Sequence, residues 1–491
     1  MKTTLKNILS KKNSKLIFIF FLSLLFLFAW LYFRHTLNIH FDDEDDNFYV
    51  GKLFWENRKI YSTIYFQHQP LTFILSAFIQ KIVTPENIFI LVKRHREFML
   101  LWSFLWGIIL YKRFGKIFIP VIIVYELTKI FLLGNLFLAE SLVTYPLLYV
   151  VALIFLGKKP LTKKEIIFAG ILIFFIFYNL LPLWPLLGLI SLIYIFKNQS
   201  KKTFLIFAAI FLLVSCFCFS TTSLPGYWKD TLIGNFLYCV PTTSDSTGTI
   251  APLKSFFTPL LAIATNQNSN LLPVIKIISM SLIVFLIYFL FSKKYRRVFG
   301  IFLILGLANI RFIEPYQILY GIFHLLPWYA LSIFFCFYLG KNILENKNPK
   351  TIKILTTVLL LTIVGVAFKQ SLLFLFPKRD KVVDYQVNFS PYEDLSRIIT
   401  NLKKPGDSLF VTPDSSLLYW QTGIRPNNRF FYFYPWQYNS PYLQEVLTDL
   451  NDKPSRFFYC KDCLNTPFAK IISSYSPIMK DGKSLELYIL N

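Results

Sequence analysis

Residues 16–33, LIFIFFLSLLFLFAWLYF, are an uninterrupted apolar run, and eight residues further on stands Asp42-Asp43-Glu44-Asp45-Asp46. The 18 residues of that run, wound as a helix, rise about 27 Å and cross most of a bilayer core about 30 Å thick. Adjacent carboxylates repel one another and do not sit in lipid, so the chain has left the membrane by residue 42. Such a run is either solvated as a negative tag or partly held inward by structure. No small-residue cleavage site follows Phe33, so the first helix reads as an anchor and not as a signal peptide.

Composition extends the membrane reading to the whole chain. Of 491 residues, 55% are apolar, 19% are aromatic and 54 are Phe, and the mean hydropathy is +0.51. Disorder is excluded because apolar residues outnumber charged ones more than threefold, and six Cys in so long a chain are no disulfide framework. The net charge of +24 is unevenly spread: residues 378–491 carry 14 basic and 12 acidic residues, leaving 37 and 15 in residues 1–377. In the apolar part the positive charges stand in short clusters between apolar runs. That is the pattern of cytoplasmic loops and not of a nucleic-acid surface, so nucleic acid is not an expected partner.

About eleven spans meet the length criterion: 16–33, 97–111, 117–133, 141–157, 166–181, 183–196, 203–220, 272–291, 298–312, 321–340 and 353–376. With these spans, Lys2, Lys6, Lys11, Lys12 and Lys15 lie inside, and so do the clusters at Lys112–Lys116, Lys197–Lys202, Lys293–Arg297 and Lys341–Lys353. The apolar run 71–91 is excluded because counting it would export nearly all of those lysines. Thr84-Pro85-Glu86-Asn87 also interrupts it, so it reads as an interfacial or re-entrant segment. Lys93, Arg94 and Arg96 then fall outside. Pro182 and Pro185 mark a turn between two short helices within 166–196.

An odd number of crossings carries the tail to the extracytoplasmic side. There Pro391 to Asp394 open a helix running to Leu402, 408–411 is a strand, 415–420 and 440–450 are helices, and 457–459 and 485–490 are strands. Cys460-Lys461-Asp462-Cys463 has no second ligand pair nearby, so a local disulfide or two thiols fits better than zinc. The expected fold is an all-α polytopic membrane protein with a small C-terminal α/β domain. A transmembrane domain at 1–377 includes a partly helical first external loop at 34–96 and a long external segment, suited to a lid, at 221–270. An extracytoplasmic α/β domain follows at 378–491.

One set of motifs resembles a known family. Asp43-Glu44, then Gly51, Asn57-Arg58-Lys59-Ile60-Tyr61 and Gln67-His68-Gln69-Pro70-Leu71 resembles the first external loop of the GT-C superfamily. These are polytopic glycosyltransferases using polyprenyl-phosphate sugars, among them protein O-mannosyltransferases and lipid A aminoarabinose transferases. Asp45-Asp46 is a rival register, because Tyr49 then takes a common aromatic position. Asn57 stands where that loop usually has Gly, and Gln69 where it has the first Pro. Glu140 is similar to an acidic position near the family's cavity, with a helix N-terminal carboxylate as its plain alternative. Arg311, Glu314, Tyr316 and His324 flank an outer turn that resembles the family's segment facing the lipid phosphate. Glu126, midway along the span 117–133 that precedes Glu140, pairs with Lys129 or serves as a partner of the site.

The resemblance implies an integral membrane glycosyltransferase working at the extracytoplasmic face of the cell membrane, with inversion. Asp43 or Glu44, or in the rival register Asp45 or Asp46, would be the catalytic carboxylate. Tyr61, His68, Glu140, Arg311 and His324 would bind substrate. It implies a polyprenyl-phosphate sugar as donor, a glycan, lipid or protein as acceptor, and surrounding membrane lipid. No cofactor is required, although hard oxygen ligands at Asp43, Glu44 and Glu140 suit a divalent metal. The competing function is a transporter or flippase of a lipid-linked substrate, which would distribute its charges through the midplane of several spans.

Overall fold

The computed structural model describes residues 2–56, 59–157, 161–198, 201–243, 250–265, 270–313, 321–377, 379–480 and 482–491. Asn57, Arg58, Glu314 and Tyr316 lie outside the described residues, as do parts of the expected 221–270 segment. The chain forms two compact units. The first gathers Met1–Thr36, Arg96–Ile210 and Thr249–Arg379; the second gathers Leu37–His95, Phe211–Gly248 and Asp380–Asn491. Residues 37–95 and 211–248 group with the C-terminal residues in the second unit.

The first unit is helical, as its continuous apolar runs require. Each of the eleven expected segments falls mainly on helix, and among the described residues six helices are long and apolar enough to cross a membrane by themselves. The protein is a multi-pass membrane protein. Helix Lys163–Phe177 starts at a reciprocal cap in which Thr162 accepts from the Glu165 amide and Glu165 accepts from that of Thr162. A turn leads to helix Trp184–Asn198, closed by Trp184 stacking on Phe177 at 4.0 Å between ring centres. The expected hairpin apex is therefore a built turn, with Pro182 in it.

Where the sequence placed a span at 97–111, the helix is longer, Ile88–Phe114. Arg96 is buried and donates from Nη1 to the Thr36 carbonyl at 3.0 Å. Of the three basic residues expected outside, Arg94 is exposed and Arg96 is buried. Glu126 and Lys129 form a buried ion pair at 2.7 Å. The ammonium also donates to Ser103 Oγ at 2.7 Å and to Tyr145 Oη at 3.1 Å, and Tyr145 in turn donates to the Glu126 carboxylate. Three donors thus meet three acceptors, which is what makes a charge tolerable in that setting.

In the second unit helix Asp42–Trp55 packs along helix Pro70–Val83. Gly51 is where they touch: a Cβ there would fall 2.9 Å from both the Ala77 nitrogen and Ser76 Oγ. The small residue in the loop motif is thus a close-approach requirement. Thr84 ends the second helix in a left-handed turn, so the run 71–91 is most of helix Pro70–Val83, a turn and the start of a new helix.

The C-terminal part of this unit carries a four-stranded sheet: β1 Leu409–Thr412, β2 Phe457–Cys460, β3 Tyr475–Lys480 and β4 Lys483–Leu490, in the order β1-β2-β4-β3. β1 and β2 are parallel; the other neighbours are antiparallel. β3 was not expected from the sequence. The helix expected to open at Pro391 opens instead at Lys381, capped by the Asp380 carboxylate on the Val382 amide, and runs through Pro391 to Leu402. Cys460 and Cys463 are joined by a disulfide with Cα atoms 5.4 Å apart. Residues 224–243 are helical with π-type turns, and Asp230 forms a two-point pair with Arg429, at 2.7 and 3.1 Å. That part of the expected external segment is therefore an ordered element.

Candidate functional site

In the first unit three side chains from separate stretches of sequence meet. Glu140 stands in the first turn of helix Ala139–Leu156, where free backbone amides favour a carboxylate. His324 lies in the single 3-10 turn Ile322–Leu325, entered from Gly321 at φ +116°, a backbone value that glycine adopts readily. Arg311 sits on the turn that follows helix Tyr295–Ala308. Asn309 closes that turn, accepting from the Ile313 amide at 3.1 Å and donating to the Ile313 carbonyl at 3.3 Å.

The three form a relay. Arg311 Nη1 donates to His324 Nε2 at 3.2 Å, and His324 Nδ1 hydrogen-bonds the Glu140 carboxylate. A guanidinium has no acceptor, so Nε2 must accept and Nδ1 must carry the proton given to Glu140. The imidazole is therefore held in one tautomer, with the carboxylate behind it and the guanidinium ahead. These residues line a small recess together with Pro182, Asn309 and Pro327. A planar cation in a recess walled by proline and leucine is suited to an oxyanion carried on an apolar stem.

In the second unit the acidic run is the first turn of helix Asp42–Trp55, and it is not a solvated tag. Glu44, Asp45 and Asp46 are buried; Asp42 and Asp43 are half-buried. Asp45 Oδ2 meets His40 Nε2 at 2.5 Å, while Asp42 Oδ1 lies 3.6 Å from His40 Nδ1. Burial pushes the Asp45 carboxyl up to about 6, with His40 opposing the rise. For His40, burial pulls the value down, and Asp45 and Asp42 more than reverse it, so it ends above its ordinary value.

Asp46 lies against Ser416 Oγ at 2.5 Å, and the same hydroxyl is 3.0 Å from Asp414 Oδ1. Tyr434 donates to Asp414 and lies 3.4 Å from Asp46 Oδ2. Burial, and then their mutual repulsion with neighbouring carboxylates, raises both Asp46 and Asp414 well above the usual carboxylate range. The Ser416 hydroxyl faces Asp46, while the Ser416 amide and the Tyr434 hydroxyl donate to Asp414.

Among the described residues, His40, Asp42 and Asp45 have ligand atoms within 4.8 Å of one another. The two carboxylates stand at opposite nitrogens of the one ring. Tyr61 is buried at φ +69°, and its hydroxyl donates to the His68 carbonyl at 2.8 Å. His68 is half-buried, its ring 5.1 Å from that of Phe66. Tyr61 and His68 thus meet each other, as Arg311, His324 and Glu140 do. Sequence reasoning missed His40, Asp414, Ser416 and Tyr434. His40, two residues before the acidic run, was the one local signal; the other three lie some 370 to 390 positions away.

No protein-family model and no curated protein matches the chain. Solved structures do. ArnT from Cupriavidus metallidurans bound to undecaprenyl phosphate superposes with a TM-score of 0.51 at 12% identity, over 96% of this chain and 97% of that one. The same protein in the apo state gives 0.48 at 10% identity, over 97% and 98%. The Archaeoglobus fulgidus oligosaccharyltransferase in the apo form gives 0.47 at 9% identity, over 91% of this chain and 70% of that one. The end-to-end match with the first of these shows that the chain shares the fold of that ArnT structure.

Proposed function

We propose that this protein is an inverting glycosyltransferase of the cell membrane, moving a sugar from a polyprenyl-phosphate donor to an acceptor at the extracytoplasmic face. The observation that carries the reading is the Arg311–His324–Glu140 relay in its recess, within a chain that shares the fold of that ArnT structure. The matched ArnT structure holds undecaprenyl phosphate, an anion on an isoprenoid stem.

In this reading Asp43 takes the proton of the acceptor hydroxyl or amine, whose lone pair attacks the anomeric carbon. The bond from that carbon to the phosphate oxygen breaks, and its electron pair leaves with the polyprenyl phosphate. Arg311 neutralises that departing charge, held in place by His324 and Glu140. A phosphate leaving group is stable, so positioning and charge neutralisation supply most of the catalysis. Asp43 suits the base because it is half-buried, whereas Glu44 is fully buried. Asp45 is the second reading, favoured by a carboxyl raised to about 6 beside His40, nearer to the ideal of a general base at neutral pH. His68 would bind substrate from the loop that Tyr61 supports.

The test is incubation of the purified chain in sealed proteoliposomes with radiolabelled polyprenyl-phosphate sugars and extracts containing glycan, lipid or protein acceptors. Wild-type transfer that is lost in Asp43→Asn and retained in Asp45→Asn supports the first register; the reverse supports the second. Release of label across the bilayer with no glycosylated product would overturn the enzyme reading in favour of transport.

A further inference from the structure

Residues 224–243 carry two opposed faces. One is polar and occupied within the second unit. Tyr227 Oη donates to Gln69 Oε1 at 2.8 Å, Thr231 Oγ1 to the Phe66 carbonyl at 3.2 Å, and Asn235 Nδ2 to the Gln67 carbonyl at 2.8 Å. Asp230 is buried against Arg429. At the start of the run, a Cβ on Gly226 would fall 1.8 Å from the Tyr61 carbonyl oxygen, so the backbone lies directly on the first loop.

The other face holds Leu224, Trp228, Ile233, Phe236, Leu237 and Val240, all exposed, with Trp228, Phe236 and Leu237 at 60, 61 and 60%. Apart from two prolines and Lys229, the exposed side chains over residues 224–241 are large and apolar. Water is a poor neighbour for so continuous a patch.

The neighbour is indicated by the chain itself. Phe211–Gly248 is a single stretch of the second unit, and its first residues end the helix Lys201–Phe219, which is long and apolar enough to cross a membrane. Leu212, Leu213 and Phe217 of that helix are exposed in the same way. Five residue steps separate Phe219 from Leu224, a reach of at most about 18 Å. The apolar face is thus the continuation of a lipid-facing surface. Trp suits the level of the headgroups, and Lys229 has a stem long enough to lift its ammonium into water.

We infer that residues 224–243 lie along the membrane–water interface with this face in the acyl boundary, so that the segment Phe66–Gln69 is carried on an element resting on lipid. The occupant is the bilayer itself, and the inference is independent of which reaction the protein performs.

The experiment uses the full chain in nanodiscs containing a phospholipid with a photoactivatable diazirine near the headgroup end of its acyl chain, read by mass spectrometry. Hydroxyl-radical footprinting of the same sample reports water contact. The expected result is carbene adducts on the 224–240 peptide at a yield within about threefold of those on 211–219, with Trp228 protected from oxidation. Adducts confined to 211–219, with Trp228 oxidised, would overturn the inference. So would protection from both probes together with cross-links between two copies at this face, which would make the occupant protein.

Discussion

Nη1 of Arg311 donates to Nε2 of His324 across 3.2 Å, so the imidazole must meet the guanidinium with a lone pair. His324 is in this respect a positioning residue for the cation, because its other nitrogen is committed to Glu140.

Replacing His324 with Phe should remove both bonds. Hydrogen bonds to charged groups contribute about 1.5–3 kcal/mol each, so a rise of about tenfold or more in donor KM is expected, with acceptor KM unchanged. His324→Gln, which keeps a donor and an acceptor, should recover part of the loss. Equal effects of Phe and Gln on both substrates would mean that the ring acts only by packing.

The acidic cluster sets a pH dependence of stability. Asp45 titrates at about 6 in the folded chain against an ordinary 3.8, so the folded state holds its proton more tightly, and stability falls as pH rises between those values. His40 is raised above 6.5, so its contribution is complete below 6.5 and is lost as pH climbs through its folded value. Asp46 and Asp414, both raised, act in the same direction. Thermal unfolding in detergent should therefore show a higher Tm at pH 5 than at pH 8, and His40→Ala should flatten the part of the profile above 6.5. A Tm that climbs with pH over this range would contradict the assignment.

Gly51→Ala places a methyl 2.9 Å from the Ala77 nitrogen. Overpacking of this kind costs about 1–3 kcal/mol, and here it should separate helices Asp42–Trp55 and Pro70–Val83. Gly188→Ala, where a Cβ meets nothing within 4 Å, is the control. Limited proteolysis around residue 84 should accelerate only in the first variant.

Lys129→Met leaves the Glu126 carboxylate buried without its cation and should destabilise the protein by about 3–5 kcal/mol. Adding Glu126→Gln should restore most of that loss, because a neutral amide has far less to desolvate. If the double variant is no more stable than Lys129→Met alone, as measured by detergent-melting midpoints, the pair is not the source of the effect.

The helices of the first unit were legible because long apolar runs leave a chain few alternatives in lipid: every backbone polar group has to be satisfied within the segment. The lone CxxC was legible as far as a local disulfide or thiols, since chain proximity decides that contact. Other features were hidden. β3 contains Pro477 and faces mostly outward, and it is an edge strand, the one place in a sheet where a missing amide costs little. Pro391 looked like a helix start because proline suits the first turn, yet the helix begins at the Asp380 cap and continues across it.

By itself the sequence determined that a membrane-crossing helix is followed by a loop opening on five carboxylates, because hydrophobic length and adjacent charge are local properties that every conformation must respect. Only the tertiary structure decided which carboxylates are withdrawn from water and what they touch. The partners of Asp46 lie at Asp414, Ser416 and Tyr434, and those of Glu140 at His324 and, through it, Arg311. Proton affinity and orientation depend on neighbours brought together by packing, and no spacing along the chain encodes them.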